Sequence, residues 1–239
     1  MFNRGDGMER LDKVISNQVG YSRKDVKELV RQGRILINGV VALKSDVKVD
    51  VLVDKICLDE EVISFKKYVY LMLNKPKGYI SATEDRSCPT VLDLIDEEYL
   101  HRNLFPAGRL DKDTTGLMII TDDGDFAHNI LSPKKHVKKS YEVVIDKKMT
   151  MDMVNGFRDG IKLIDGECKS SELEITGEYS GIVTLTEGRY HQIKRMFGCY
   201  GAEVVELNRI SMGNFYLPDD LKLGEFREFT EEELKKVVE

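Results

Sequence analysis

The stretch GRLDKDTTGLMIITDDGD, residues 108–125, carries five aspartates: Asp111, Asp113, Asp122, Asp123 and Asp125. Carboxylates this dense suit a metal loop, a set of turns, or a catalytic acid. Asp111, Asp113, Thr115, Gly116 and Asp122 fall at positions 1, 3, 5, 6 and 12 of a calcium-binding loop, but the match is poor. Position 12 has an aspartate where a longer bidentate glutamate is usual, and position 9 is Ile119, which cannot ligate. The turn reading accounts for the second half. Asp122-Asp123-Gly124 suits a tight turn and Asp125 an N-cap before the helix pattern FAHNIL. That leaves GRLDKDTTG, a loop leading into the apolar run Leu117–Ile120. A short acidic side chain at a loop–strand junction is well placed for chemistry, which makes Asp111 a candidate catalytic aspartate.

The elements that must hold this loop are legible around it. YVYLMLNKPKGYI reads as a buried strand ending at Pro76. The apolar patterns predict strands over 69–74, 117–121, 139–145, 171–176, 181–187 and 203–210. They predict helices over 90–97, 125–131, 149–157, 189–199 and 230–237, the last opened by the capping pair Thr230 and Glu233. Strand pairs joined by turns, mixed with single helices, predict an α+β fold with a mixed, mostly antiparallel sheet. No glycine-rich nucleotide loop is present.

A different pattern precedes residue 65. MFNRGDG reads as unstructured, with Met8 as a possible natural start. Leu11, Val14 and Ile15 have helical spacing. A second helix opens at Ser22 with Asp25 three residues on, buries Val26, Leu29 and Val30, and stops at Gly33. RILINGVV predicts a hairpin turning at Asn38-Gly39, and Val47, Val49, Val51 and Val53 alternate as a further strand. The result is a small helix–helix–hairpin module over 8–64, followed by a second domain over 68–239.

The net charge of −6 argues weakly against nucleic acid, but the bases are clustered. Residues 10–34 carry seven Lys/Arg against three Asp/Glu, and KKHVKK occupies 134–139. Charge runs are usually solvated surface; here Arg10, Lys13, Arg23, Lys24, Lys27, Arg31 and Arg34 on so small a module fit a phosphate-contacting face. The four cysteines lie more than 30 residues apart, which provides no local zinc pair. No run approaches the roughly 20 apolar residues of a membrane helix and no secretion signal is evident, so the default expectation is a cytoplasmic protein.

GRLDKDTTGL, KKSYEV and EGRYHQIKRMF, preceded by NKPKG at 74–78, together resemble the RsuA-type pseudouridine synthases, which modify small-subunit (16S) ribosomal RNA. RLDKVIS and SRKDVKELVRQGRILING resemble the S-four type of RNA-binding domain. The resemblance implies an RNA-binding module followed by a pseudouridine synthase domain, acting on ribosomal RNA as a monomer, with no cofactor, metal or membrane.

It also implies residue roles. Asp111 is the essential group. Tyr141 packs on the uracil, Lys194 is the basic partner of the aspartate, Arg109 helps to fill the space of a flipped base, and Ile193 is an apolar wall. His191 invites a general-base role, but the family pattern varies there, so an RNA-contacting or structural role is expected instead. Asp113 is expected to brace the loop at most. Read without the resemblance, Tyr141 is a strand core residue and Lys194 a solvated helical lysine. Two other readings stay open: a large-subunit (23S) rRNA enzyme of the same superfamily, and a non-catalytic ribosome-assembly protein. The intact Asp111, Tyr141 and Lys194 argue against the latter.

Overall fold

The computed structural model describes residues 7–132 and 135–239. Of MFNRGDG, expected to be unstructured, residues 1–6 fall outside them, as does Lys134 of KKHVKK, while Gly7 is buried and its carbonyl accepts from Val51 N at 2.9 Å. The chain forms two units. One comprises residues up to Tyr68 together with Asp96–Asn103; the other comprises Val69–Ile95 and Leu104–Glu239.

The first unit runs β1 (Met8–Arg10), α1 (Leu11–Val19), α2 (Arg23–Arg31), β2 (Ile35–Ile37), β3 (Val40–Val41), β4 (Lys48–Asp50), β5 (Ile56–Leu58) and β6 (Glu61–Val62). β1 pairs with β4, and β3-β2-β5-β6 form a second small sheet. Ser22 caps α2 through a full capping box with Asp25, which satisfies two helix-end amides at once. Asn38 and Gly39 both take positive φ, 52° and 82°, as a two-residue turn matched to strand twist requires. The expected apolar faces of both helices close over Ile35, Val49 and Ile56 in one core. The alternating valines are only partly strand: Val49 is buried, while Val47 and Val53 are exposed.

The second unit opens with β7 (Tyr70–Lys75). The helix expected over 90–97 is broken in two. Thr90 and Asp93 close a single 3-10 turn, Val91–Leu94, and Ile95 is extended. The following α3 (Glu97–Leu100) belongs to the first unit, where His101 Nε2 lies 2.9 Å from the Asn17 carbonyl and Arg102 donates to the Lys66 and Lys67 carbonyls.

The chain continues through β8 (Phe105–Pro106), β9 (Thr115–Thr121), α4 (Gly124–Leu131), β10 (Lys139–Ile145), α5 (Met151–Asp159), β11 (Lys162–Leu163) and β12 (Gly166–Glu167). It ends with β13 (Glu172–Ile175), β14 (Ser180–Leu185), α6 (Gln192–Gly198), β15 (Val204–Met212), β16 (Phe215–Tyr216), β17 (Phe226–Glu228) and α7 (Glu231–Val238). The main sheet has the order β13-β14-β10-β15-β9-β7-β17, with β16 beside β15 and β8 beside β9. Its ladders are antiparallel except β15–β9, which is parallel. The expected mixed, mostly antiparallel sheet is therefore present.

The parallel ladder is a seam where two cores meet, and β15 contributes to both, Leu207 to one and Met212 to the other. On one side Val143, Val183, Phe157, Ile193, Met196 and Phe197 pack together; on the other Met72, Leu117, Ile119, Ile130, Met212 and Val237 do so. Burial of such side chains contributes about 1.5–3 kcal/mol each, which fixes both halves. The seam itself is two register pairs, Asn208↔Thr115 and Arg209↔Gly116. Gly116 has φ +101°, and a Cβ there would lie 2.3 Å from the Arg209 carbonyl oxygen. No other residue type allows this approach.

The acidic turn after β9 differs from expectation in one respect. Asp123, not Asp125, caps α4: its Oδ1 accepts from Phe126 N at 3.0 Å, and its Oδ2 accepts from the Tyr70 hydroxyl at 2.5 Å. Asp122 accepts from Val69 N at 2.7 Å. The helix starts one residue before Asp125, so that side chain lies in the first turn, where its charge suits the helix dipole.

Candidate active site

Asp111 lies four residues before β9, at the end of the sheet where the seam lies. The loop that presents it is wound around a buried ammonium. Lys75, the last residue of β7, is 0% exposed. Its Nζ donates to the carbonyl oxygens of Thr114 at 2.8 Å, Pro76 and Asp111 at 3.1 Å, and Lys112 at 3.4 Å. Ser81 holds Leu110 at both backbone groups, and Gly78 N donates to the Lys112 carbonyl. The expected strand ending at NKPKG thus has a second task, to supply the cation that shapes the loop. Burial pulls the Lys75 ammonium down to about 8 against the charges of Asp113 and Asp111.

Two side chains from the Gln192 end of α6 reach the loop. Lys194 Nζ lies 3.4 Å from Asp111 Oδ2 and 2.7 Å from Asp113. His191 Nε2 lies 3.4 Å from Asp111 Oδ1. The expected aspartate–lysine partnership is therefore formed, and His191 joins it from the other side. Burial lowers the Lys194 ammonium, but hydrogen bonding and charge from Asp113 and Asp111 outweigh it, so the net direction is up. The Lys194 hydrogen bond holds Asp113 below the usual carboxylate range. A long contact on each oxygen leaves the Asp111 carboxylate oriented but not closed off.

Beneath lies a group of cations that the sequence did not indicate. Arg209 is 1% exposed, donates from Nε to the Leu117 carbonyl at 2.6 Å, and has one terminal nitrogen without a partner. Lys139, read from KKHVKK as part of a basic cluster, is buried and donates to the Val137 carbonyl. Burial, then the Arg209 charge, lowers it to about 8. No carboxylate hydrogen-bonds Lys75, Lys139 or Arg209 among the described residues. A charged side chain inside a strand pattern reads as surface; only the packing of β7, β10 and β15 shows otherwise.

The other expected residues are distributed as follows. Tyr141 is the register partner of Arg209 and is half-buried against the core that contains Ile193. Ile193 is itself 4% exposed and is a member of that core. Arg109 is exposed and makes no ion pair among the described residues. In the first unit Arg10 pairs with Asp12, Lys13 with Glu9, Arg31 with Glu28 and Arg34 with Asp59. Arg23, Lys24 and Lys27 on α2 are exposed without such a partner among the described residues.

The calcium reading fails on geometry. Asp111 and Asp122 stand at opposite ends of the seven-residue β9, roughly 3.3 Å per residue. Among the described residues no group of three His, Cys, Asp or Glu side chains could hold a metal ion. A cleft of about 640 Å³ lined by Asn74, Glu142, Asn208 and Tyr216 contains none of the expected site residues.

A sheet built on two cores, with a carboxylate–lysine–histidine cluster at the end of its parallel ladder, follows a small separate module whose basic residues gather on its second helix. The sequence model described as RNA pseudouridylate synthase matches residues 69–198, and the S4 domain matches residues 9–51. The chain belongs to the RNA pseudouridylate synthase family. It is 43% identical over 230 residues to YtzG, an uncharacterized RNA pseudouridine synthase of Bacillus subtilis (strain 168), covering 94% of this chain and 96% of that protein. It is 40% identical over 235 residues to ribosomal small subunit pseudouridine synthase A of Escherichia coli (strain K12), covering 96% of this chain and 100% of that protein. A solved crystal structure of a pseudouridylate synthase, 37% identical, superposes with a TM-score of 0.68 over 95% of this chain and 99% of that one.

Proposed function

We propose that this pseudouridine synthase converts one specific uridine of small-subunit (16S) ribosomal RNA to pseudouridine. Residues 68–239 carry the chemistry and residues 8–64 bind the RNA. The observation that carries the reading is Asp111 held between Lys194 and His191, in a chain that matches ribosomal small subunit pseudouridine synthase A along almost its whole length.

A uridine in a structured RNA cannot turn in place, so it must be extruded, at a cost of a few kcal/mol. Arg109, exposed and without an ion pair among the described residues, is assigned to the vacated space and to phosphate. Tyr141 supplies a face for the uracil, with stacking of about 1–3 kcal/mol, and Ile193 backs it. The N1–C1′ bond breaks, the uracil rotates, a C5–C1′ bond forms, and the C5 hydrogen is released as a proton while N1 gains one. Asp111 serves this either by attacking C1′ or by removing a ribose proton, and must be ionised in both.

Arg10, Lys13, Arg23, Lys24, Lys27 and Arg31 are assigned to the RNA backbone. The three without acidic partners, Arg23, Lys24 and Lys27, are the core of that face. The deciding experiment maps pseudouridines by reverse-transcription stops after carbodiimide treatment, in a knockout and its parent. Loss of one stop in small-subunit rRNA supports the proposal. A lost stop in 23S rRNA or tRNA instead would refute the small-subunit assignment, and unchanged stops everywhere would refute the activity.

A further inference from the structure

Tyr190 is 72% exposed, yet its position is tightly determined. Its ring lies parallel to that of His191, with centroids 3.8 Å apart and planes 19° apart. His191 adopts a left-handed backbone, φ 47° and ψ 37°, where it opens α6, a conformation unusual for a side chain of this size. The segment around the pair is clamped. Arg195 donates to the Tyr190 carbonyl at 3.1 Å and also holds Asp165. Gln192 accepts from Arg189 N at 2.9 Å and donates to Glu187 at 2.7 Å. His191 in turn reaches Asp111 at 3.4 Å. One face of the Tyr190 ring is thus covered by His191 and the other is open to solvent.

A large aromatic ring left in water while its backbone is fixed from several directions has the form of a prepared stacking surface. Proteins that hold unpaired nucleotides combine cations for the phosphates with aromatic rings for the bases. Here the cations Lys194 and Arg109 belong to the same helix start and loop. A base laid on the open face would continue the stack through Tyr190 and His191 to a point beside Asp111. The extruded uridine itself is assigned to Tyr141, on the sheet.

We propose that Tyr190, stacked on His191, is the platform for the unpaired nucleobase next to the uridine that reacts, and so helps to select the RNA. This rests on the isomerase reading above and adds to it a contact with a neighbouring nucleotide.

The test uses the full chain and a small-subunit rRNA transcript labelled with [5-³H]uridine. Tyr190→Phe keeps the ring and should stay within about twofold of the parent in tritium release. Tyr190→Ala should raise KM on the order of tenfold, with kcat within about threefold. With p-benzoylphenylalanine at position 190, ultraviolet crosslinking should mark a nucleotide adjacent to the pseudouridine mapped in the same RNA. An unchanged KM for Tyr190→Ala overturns the platform. So does a fall in kcat alone, which would mean that the ring merely steadies His191, or a crosslink remote from the modified uridine. If the parent releases no tritium from this RNA, the isomerase reading fails separately. In that case a crosslink concentrated on one unpaired nucleotide supports a base-stacking surface at Tyr190 without the link to a reacting uridine, and a diffuse or absent crosslink overturns the stacking surface too.

Discussion

Lys194 donates to both carboxylate oxygens of Asp113 at 2.7 Å, and so is held more tightly by Asp113 than by Asp111. The lysine is anchored by one aspartate and presented to the other. Asp113→Asn removes the anchoring charge. Burial, which lowers the Lys194 ammonium, is then opposed by Asp111 alone, so its titration moves to lower pH. Carbon-13 shifts of the lysine side chain followed against pH would report this. Activity at neutral pH should fall modestly, roughly tenfold or less, within the range of one positioned charge. An unmoved Lys194 titration would refute the anchoring role.

Among the five aspartates, only Asp111 should be indispensable. Asp111→Asn keeps the shape but can neither attack carbon nor accept a proton. Tritium release should drop below detection, while the melting curve and RNA affinity stay close to those of the parent. Asp123→Ala should behave in the opposite way. It removes the acceptor of the Phe126 amide and one acceptor of the Tyr70 hydroxyl, costing roughly 1–2 kcal/mol with turnover retained. Asp125→Asn, in the first turn of α4, should cost at most about 0.5 kcal/mol.

Lys75 has a sign that can be checked. Its ammonium titrates near 8 in the folded chain and at the ordinary 10.5 when unfolded. Between those values the unfolded chain binds more protons, so stability rises with pH across that window and is insensitive to this group below it. Lys75→Met lacks the titration. The stability of the parent relative to the variant should therefore be flat below pH 8 and grow from about pH 8 to 10.5, measured by urea unfolding. The variant should also lose most activity, because the carbonyls of Asp111, Lys112 and Thr114 lose their common donor.

Gly116→Ala should destabilise by about 3 kcal/mol or more, since it combines a left-handed φ with a backbone clash. Gly39→Ala, in a turn where a Cβ meets nothing within 4 Å, carries only the φ penalty of about 1 kcal/mol. Thermal melts of the two variants side by side would check the contrast.

Replacing Arg23, Lys24 and Lys27 by Glu should weaken rRNA binding and flatten its salt dependence. Each lost phosphate contact removes about 0.7–0.9 from the log–log slope. Reversing Arg34, already paired with Asp59, should have a smaller effect. Equal slopes for the parent and the triple variant would exclude α2 as an RNA face.

The sequence showed most clearly what is decided locally. Ser22 with Asp25, Thr230 with Glu233, and Asn38-Gly39 each satisfy their own backbone within a few residues, and each appears as expected. Asp111 stands out by its place at a loop–strand junction, whereas Lys194 is singled out only by the resemblance of its motif to a family. Asp123 was passed over for Asp125 because helix starts are read to within a residue at best. Lys75 and Arg209 were not recognisable, because their acceptors are carbonyls from distant segments, and the burial of Lys139 depends on the strands packed around it. The excursion of Asp96–Asn103 into the first unit has no periodic signal, since its anchors are Asn17, Lys66 and Lys67.

The seam has a mechanical meaning. Asp111 hangs from the half of the sheet that holds β7 and β9, and Lys194 rides on α6, whose side chains pack into the other half. Laterally, β15 and β9 meet over two rungs. The 3.4 Å gap between carboxylate and ammonium therefore spans that ladder, so the spacing of the pair is set by long-range packing rather than by either segment alone.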